Sequence, residues 1–339
     1  MSDLHYPLSD NVPGAGSCLE IRPGLNWLRL PIPFELNHIN VWLLDDGQGW
    51  TLIDTGIAFR ETIQAWETIF KSNLGNKPIS RVIVTHHHPD HFGLAGWICD
   101  QFDVELQGTA AAIGRAVSLI QNEGDDVDSR TVYFQMHGAD NPGRLARFTT
   151  GLEYRRLVSG LPQLYRNIDE LNNIKIGKWI WKPVISNGHA DGHLSLYCAE
   201  QGILISGDQI LPTITSNLSL FDDDPDLNPL QEYLDSLDIM RQLPADTLVL
   251  PSHGRIFSGL HLRADAIEEA HRERSSQVRR ICEIQSTVGA VCKRLFPKQL
   301  DDINTCLAFG ETFTHVRYLE KQRLVECMDK DNQFLYTSI

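Results

Sequence analysis

A chain of 339 residues, 42% of them hydrophobic, carries enough apolar material for a sizeable core and is not a disordered chain. Its formal charge of -14, from 44 acidic against 30 basic residues, excludes the broadly cationic surface that phosphate backbones demand, so nucleic acid is not an expected partner. The seven cysteines stand singly without CxxC spacing, and the amino terminus Met1-Ser2-Asp3-Leu4-His5-Tyr6-Pro7 has no basic stretch leading into an apolar one. No apolar run reaches membrane-spanning length, so the expectation is a cytoplasmic protein with reduced thiols and no membrane contact.

In chain order, residues 18–21 and 25–30 read as a hairpin turned at Arg22-Pro23-Gly24. Strands at 39–44 and 50–54 follow, flanking the turn Asp45-Asp46-Gly47-Gln48-Gly49. Phe59, Ile63, Trp66 and Phe70 recur at helical spacing over 59–72. After them comes the apolar strand 81–85, then the turn His86-His87-His88-Pro89-Asp90-His91, then a helix from Gly93 to Phe102.

From about 107 to 170 the pattern is helical, with no strand alternation, and predicts an inserted helical cap. Strands resume at 178–185, 194–198 and 202–206, followed by a helix near 228–242 and a short strand at 247–250. Beyond 260 come a long helix to about 285, helices near 287–296 and 303–323, and a terminal hairpin turned at Asp329-Lys330-Asp331-Asn332. Helices followed by a short hairpin suggest a winged-helix-like module at 261–339, set against a larger domain at 1–260. No Pro/Gly/Ser linker marks the boundary.

The turn at 86–91 concentrates imidazoles and a carboxylate at the end of a buried strand. Such groups are costly to desolvate unless a metal takes up their electron pairs. The chain also repeats itself: a strand ending in Asp54, a helix, and a strand running into His86 are echoed by a strand ending in Asp208, a helix, and a strand running into His253. Strand-helix-strand units of this kind deliver the carboxyl ends of their strands to one edge, where ligands collect.

Together the turn His86-x-His88-x-Asp90-His91, the segment Gly188-His189-Ala190-Asp191-Gly192-His193, Asp208 and His253 resemble the metallo-β-lactamase superfamily in residue type and chain order over about 18–260. The resemblance implies an α/β fold, the four-layer αβ/βα sandwich. It also implies a site for two divalent metal ions, with zinc, iron or manganese suited to a mix of imidazole and carboxylate without thiolate. His86, His88 and His189 would hold one ion and Asp90, His91 and His253 the other, with Asp208 bridging. Asp54 and His193 would steady this set from behind, and His87 would point the other way. The segment around His189 departs from the family's usual Gly-His-Thr-Pro-Gly-His. The activity implied is hydrolysis by a metal-bound hydroxide, with Asp90 and Asp208 as the catalytic carboxylates.

A bridging Asp rather than Cys or Ser argues against a true β-lactamase and toward thioesterases, lactonases and phosphodiesterases. The leading expectation is an acyl-CoA or acyl-glutathione type thioester, or an ester, as small-molecule substrate. The alternatives are an endoribonuclease or other phosphodiesterase, a lactonase, and a metal-binding regulator that touches DNA through the winged helix; a homodimer is also allowed. Two readings of the cap stay open. Arg144, Arg147, Arg155, Arg156 and Arg166, interleaved with Tyr133, Phe134, Phe148 and Tyr154, form either a lid over an anionic substrate handle or a solvated arginine face above a core stripe. Phe34, His38, Tyr133, Tyr154 and Asn217 are candidate substrate contacts.

Overall fold

The computed structural model describes residues 4–9, 11–72, 74–75, 77–121, 126–222 and 224–339. Met1 to Asp3, part of the terminus read above for targeting signals, lie outside them. Strand alternation decides the architecture. In β1 (Cys18–Arg22), β2 (Leu25–Pro31), β3 (His38–Asp45), β4 (Trp50–Ile53), β5 (Ile79–Ile83), β6 (Leu106–Gly108) and β7 (Tyr165–Asn167), strands pair in sequence order into one seven-stranded sheet. β8 (Ile174–Ile176), β9 (Trp179–Ser186), β10 (His193–Cys198), β11 (Ile203–Gly207), β12 (Leu248–Pro251) and β13 (Phe257–Ser258) form a second sheet of six.

Alternate residues of each strand face opposite ways, and both faces are apolar. Trp27, Trp42, Leu44, Ile53 and Ile83 of the first sheet meet Trp181, Leu194, Leu196, Ile203, Ile205 and Leu250 of the second in one core between the sheets. The other face of the first sheet, with Leu28, Leu30, Val41, Leu43 and Val82, packs on helices Arg60–Ser72 and Ala95–Phe102 through Trp66, Ile69 and Ile98. The outer face of the second sheet, with Leu204 and Val249, packs on helices Pro229–Arg241 and Leu260–Ile281 through Tyr233, Leu237, Leu260 and Ile267. This is the four-layer αβ/βα sandwich.

Both echoed units are parallel pairs: β4 with β5 across helix Arg60–Ser72, and β11 with β12 across helix Pro229–Arg241. Their carboxyl ends point to one edge. The region 107–170 is not wholly helical. After four helices, Ala110–Gln121, Val127–Met136, Pro142–Phe148 and Gly151–Tyr154, the chain returns as β7 and extends the first sheet beside β6. Tyr165, Arg166 and Asn167 are all exposed, so the strand carries no alternation to read.

Tyr133, Phe134 and Leu145 of this region share a core with Val278, Val291, Phe309, Phe313, Val316 and Tyr336 near the carboxyl terminus. The helix Leu260–Ile281 contributes Leu260 and Ile267 to the sheet-side core and Val278 to this one, so it packs on both parts. Helices Val288–Leu295 and Asp302–Lys321 and the hairpin β14 (Val325–Lys330) and β15 (Gln333–Ser338) complete the chain. Asp331 and Asn332 take φ +52° and +62°, the left-handed pair that a two-residue hairpin turn requires. No helix among the described residues is long and apolar enough to cross a membrane, and all seven cysteines are unpaired.

Candidate metal centre

The chain runs extended through His88 (φ -58°, ψ 149°), and Pro89 then starts a single helical turn, Pro89–Phe92. His86 and His88 are thus presented from extended backbone, while Asp90 and His91 turn back toward them. Beneath this turn lies Asp54, at the end of β4 in left-handed backbone (φ +62°). Its buried carboxylate accepts the Thr85 amide at 2.7 Å, the Thr85 hydroxyl at 2.9 Å and His91 Nδ1–H at 2.8 Å. Since the Thr85 hydroxyl proton goes to Asp54, its oxygen accepts from His86 Nδ1 at 3.0 Å. Both rings therefore turn their Nε2 inward.

The second unit repeats this logic with backbone carbonyls. His189 Nδ1 donates to the Asn217 carbonyl and His253 Nδ1 to the His38 carbonyl, each at 2.8 Å. Fixing one ring nitrogen sets the tautomer and frees the other as a ligand. Asp208 follows β11, and its amide donates to His193 Nε2 at 3.1 Å. At Gly207 (φ +54°) a Cβ would stand 2.5 Å from that same nitrogen, so only glycine lets the two approach.

Three imidazole nitrogens converge on one point: His86 Nε2 and His88 Nδ1 at 2.9 Å, with His189 Nε2 at 3.1 Å from each. Beside them Asp90, His91 and His253 form a second group. Asp208 spans the two, with Oδ2 3.5 Å from His189 Nε2 and Oδ1 3.5 Å from both His91 Nε2 and His253 Nε2. His91 Nε2 and Asp208 Oδ1 are buried and have no hydrogen-bond partner. Two donor atoms each roughly 2.0–2.2 Å from a tetrahedral cation lie about 3.4 Å apart, so the spacing and the orphaned atoms fit two divalent ions held side by side.

The electrostatics divide along the same line. Burial and mutual imidazole repulsion hold His86 and His88 well below the ordinary histidine pKa and lower His189, keeping their lone pairs free at neutral pH. Burial also opposes charge on His91 and His253, but the surrounding carboxylates overcome it: His91 stands well above its ordinary value and His253 at about 10. Against the cost of burial, His91 and His253 hold Asp90 at about 2. A divalent cation is the alternative to those two protons as a match for Asp90 and Asp208.

The structure brings all seven expected ligands together. His87 joins none of the three candidate ligand groups, and His193, its Nε2 occupied by the Asp208 amide, stands behind Asp208. Burial and the His189 charge push His193 down to about 3, so it is neutral. Four of the five expected substrate contacts have other work. His38 grips the His253 loop, its carbonyl accepting from His253 and its Nε2 accepting the Gly254 amide at 2.9 Å. Asn217 serves His189 through its backbone, Tyr154 donates its phenol to the His87 carbonyl at 2.5 Å, and Tyr133 lies in the core shared with the carboxyl-terminal helices. Phe34 packs against the outer core of the first sheet.

The arginine row is largely committed as well. Arg144 pairs with Asp302, Arg156 with Glu153 and Arg166 with Glu105, and Arg155 donates to the Leu119 carbonyl. Sequence reading passed over Thr85, Asn40 and Arg115. Asn40, a polar residue inside an apolar strand, ties β3 to the His253 loop through Pro251 and Gly254 carbonyls at 2.8 and 3.1 Å, and its position among apolar neighbours was the available signal. Arg115 is exposed, and its charge helps lower His87, second to burial.

Residues 35–253 match the family model of the metallo-beta-lactamase superfamily. A curated relative, "Probable metallo-hydrolase YqjP" of Bacillus subtilis, is 29% identical over 311 residues, covering 88% of this chain and 92% of its own. A solved beta-lactamase domain protein from Burkholderia ambifaria superposes with a TM-score of 0.91 at 36% identity, covering 99% of this chain and 98% of that one. A metallo-beta-lactamase family protein from Thermus thermophilus follows at 0.81 and 25%, covering 94% and 100%.

Proposed function

The chain belongs to the metallo-beta-lactamase superfamily and is a metallo-hydrolase, and on that footing we propose that it cleaves a thioester or ester of a small acyl group bearing an anionic handle. The observation that carries the hydrolytic reading is the pair of ligand groups spanned by Asp208. Two divalent cations bound there would bring the pKa of a water to near neutrality and polarise the scissile carbonyl.

The protein groups then have distinct tasks. Asp208 sets the spacing of the two ligand groups. Asp90, partly exposed and 3.2 Å from His253 Nε2, would orient the attacking water by accepting a hydrogen bond from it. As water adds to the carbonyl carbon and the C–S or C–O bond breaks, one of the water's protons goes to the leaving thiolate or alkoxide.

The substrate class rests on what surrounds the mouth. His87, His88 and Asp90 retain exposure while His86, His91, Asp208 and His253 are buried, so the site opens on the side of the turn. β3 runs antiparallel to β4, which puts the loop before β3 at the same edge as the loop after β4; there Leu36 and Phe59 are exposed, 39% and 38%, and suit an acyl chain. Arg115 supplies a cation. Its helix is pinned to the His189 loop by Thr109, whose hydroxyl donates to the Gly192 carbonyl at 2.6 Å, and no hydrogen bond or ion pair engages Arg115 among the described residues. A guanidinium so placed suits a carboxylate or phosphate handle.

The test is a hydrolysis screen of the metal-quantified protein across acyl-CoA, acyl-glutathione, lactone and bis-nitrophenyl phosphate substrates. Turnover favouring the anionic thioesters supports the reading. Turnover of the phosphodiester alone would replace it with the phosphodiesterase alternative.

A further inference from the structure

The loop that follows Asp208 makes two hydrogen bonds to candidate metal ligands. Ser216 donates its hydroxyl to the Asp208 carbonyl, and the Asn217 carbonyl accepts His189 Nδ1. The next residues of that loop are held by the helix Asp302–Lys321, which follows them by some eighty residues. The Thr314 hydroxyl donates to the Leu218 carbonyl, and the Leu220 amide donates to the Gly310 carbonyl at 3.2 Å. Ser219 Oγ donates to Asn217 Oδ1 at 2.5 Å and reaches the Leu307 carbonyl at 3.4 Å, while Arg317 Nη1 donates to the Asp224 carbonyl at 2.6 Å.

The approach is close. A Cβ at Gly310 would stand 2.7 Å from the Phe221 ring and from Ser219 Cβ. A threonine within a helix ordinarily turns its hydroxyl back to the carbonyl four residues earlier. Thr312 does so, to Ala308 at 2.7 Å. Thr314, two residues on and fully buried, departs from that habit and spends its donor on the loop.

We propose that the carboxyl-terminal helix Asp302–Lys321 is a positioning element of the metal centre, acting through Thr314, whose hydroxyl fixes the peptide next to the one that orients His189. The carboxyl-terminal helices thereby have a task in the chemistry although none of their residues is a ligand. The proposal rests on the reading of His189 as a metal ligand. Removing the hydroxyl frees the Leu218 carbonyl to seek another donor, and the Asn217 carbonyl moves with it, so His189 loses its fixed orientation. Loss of such an outer partner weakens a metal site about 10- to 100-fold.

The experiment uses the full chain, stripped of metal and titrated with zinc against a chromophoric chelator, with circular dichroism confirming the fold. Thr314→Val is expected to bind zinc about 10-fold more weakly at one of two sites. Thr314→Ser, which keeps the hydroxyl, restores binding, and Thr312→Val, which loses a buried hydroxyl on the same helix without touching the loop, leaves it unchanged. Wild-type affinity in Thr314→Val, or an equal loss in Thr312→Val, overturns the proposal. Should Thr314→Val not fold, Ser219→Ala takes its place: weakened zinc binding supports the clamp and unchanged binding overturns it. A wild-type chain that takes up no zinc overturns the reading of His189 itself, an outcome distinct from a clamp that fails on a chain that binds.

Discussion

The backbone amide of Asp208 donates to His193 Nε2 at 3.1 Å, so the residue that spans the two candidate ligand groups is held by a histidine outside them. His193 stays neutral because burial and the neighbouring His189 keep its pKa at about 3, and a neutral ring can accept from the amide. His193→Ala leaves that buried amide without its partner and opens space beside Gly207. Its metal content is expected to fall, with kcat/KM down about 10- to 100-fold, as read by metal analysis and steady-state kinetics. Full metal content with unchanged kcat/KM would show that the Asp208 loop does not depend on it.

Asp54 organises the other half through three donors. Asp54→Asn keeps the shape but replaces one acceptor oxygen with an NH2 group, which donates and can accept from neither Thr85 nor His91. Metal affinity is expected to drop about 10- to 100-fold with little change in the far-ultraviolet circular dichroism spectrum. Affinity equal to wild type would remove Asp54 from the account.

Metal uptake is expected to release protons. His91 and His253 have folded pKa values raised above the ordinary 6.5, His253 to about 10, so both carry protons at neutral pH that a cation must displace. Zinc added to metal-free protein at pH 7.5 in weak buffer should release about two protons, and affinity should rise with pH across neutrality. A pH-independent affinity between 6 and 8 would contradict the carboxylate-held protons.

Arg115 is expected to act on binding rather than on chemistry. Arg115→Ala should raise KM for an anionic acyl substrate about 5- to 20-fold, since a charge-assisted contact is worth about 1.5–3 kcal/mol before solvent screening. It should leave kcat, and the hydrolysis of a neutral nitrophenyl ester, nearly unchanged. Equal effects on both substrates would place Arg115 in the scaffold.

The sandwich was legible because both faces of most strands are apolar and the helices between them keep a period near 3.6, while the ligands sit in short ordered motifs at strand ends. What stayed hidden has physical reasons. β7 is short and wholly exposed, so it has no alternation. The apolar stripe with Tyr133 told which face is buried, not that Phe313 and the carboxyl-terminal helices cover it. His38 and Asn217 stand out by position alone, whereas what orients His253 and His189 is their backbone carbonyls, which are the same for every residue.

The most direct test is metal analysis and hydrolytic assay of the same preparation, wild type beside Asp208→Ala. Two equivalents of divalent metal with turnover in the wild type, and loss of both in the variant, are the predicted result. An Asp208→Ala protein that hydrolyses the same substrate at the wild-type rate would contradict the bridged two-metal site on which the account stands.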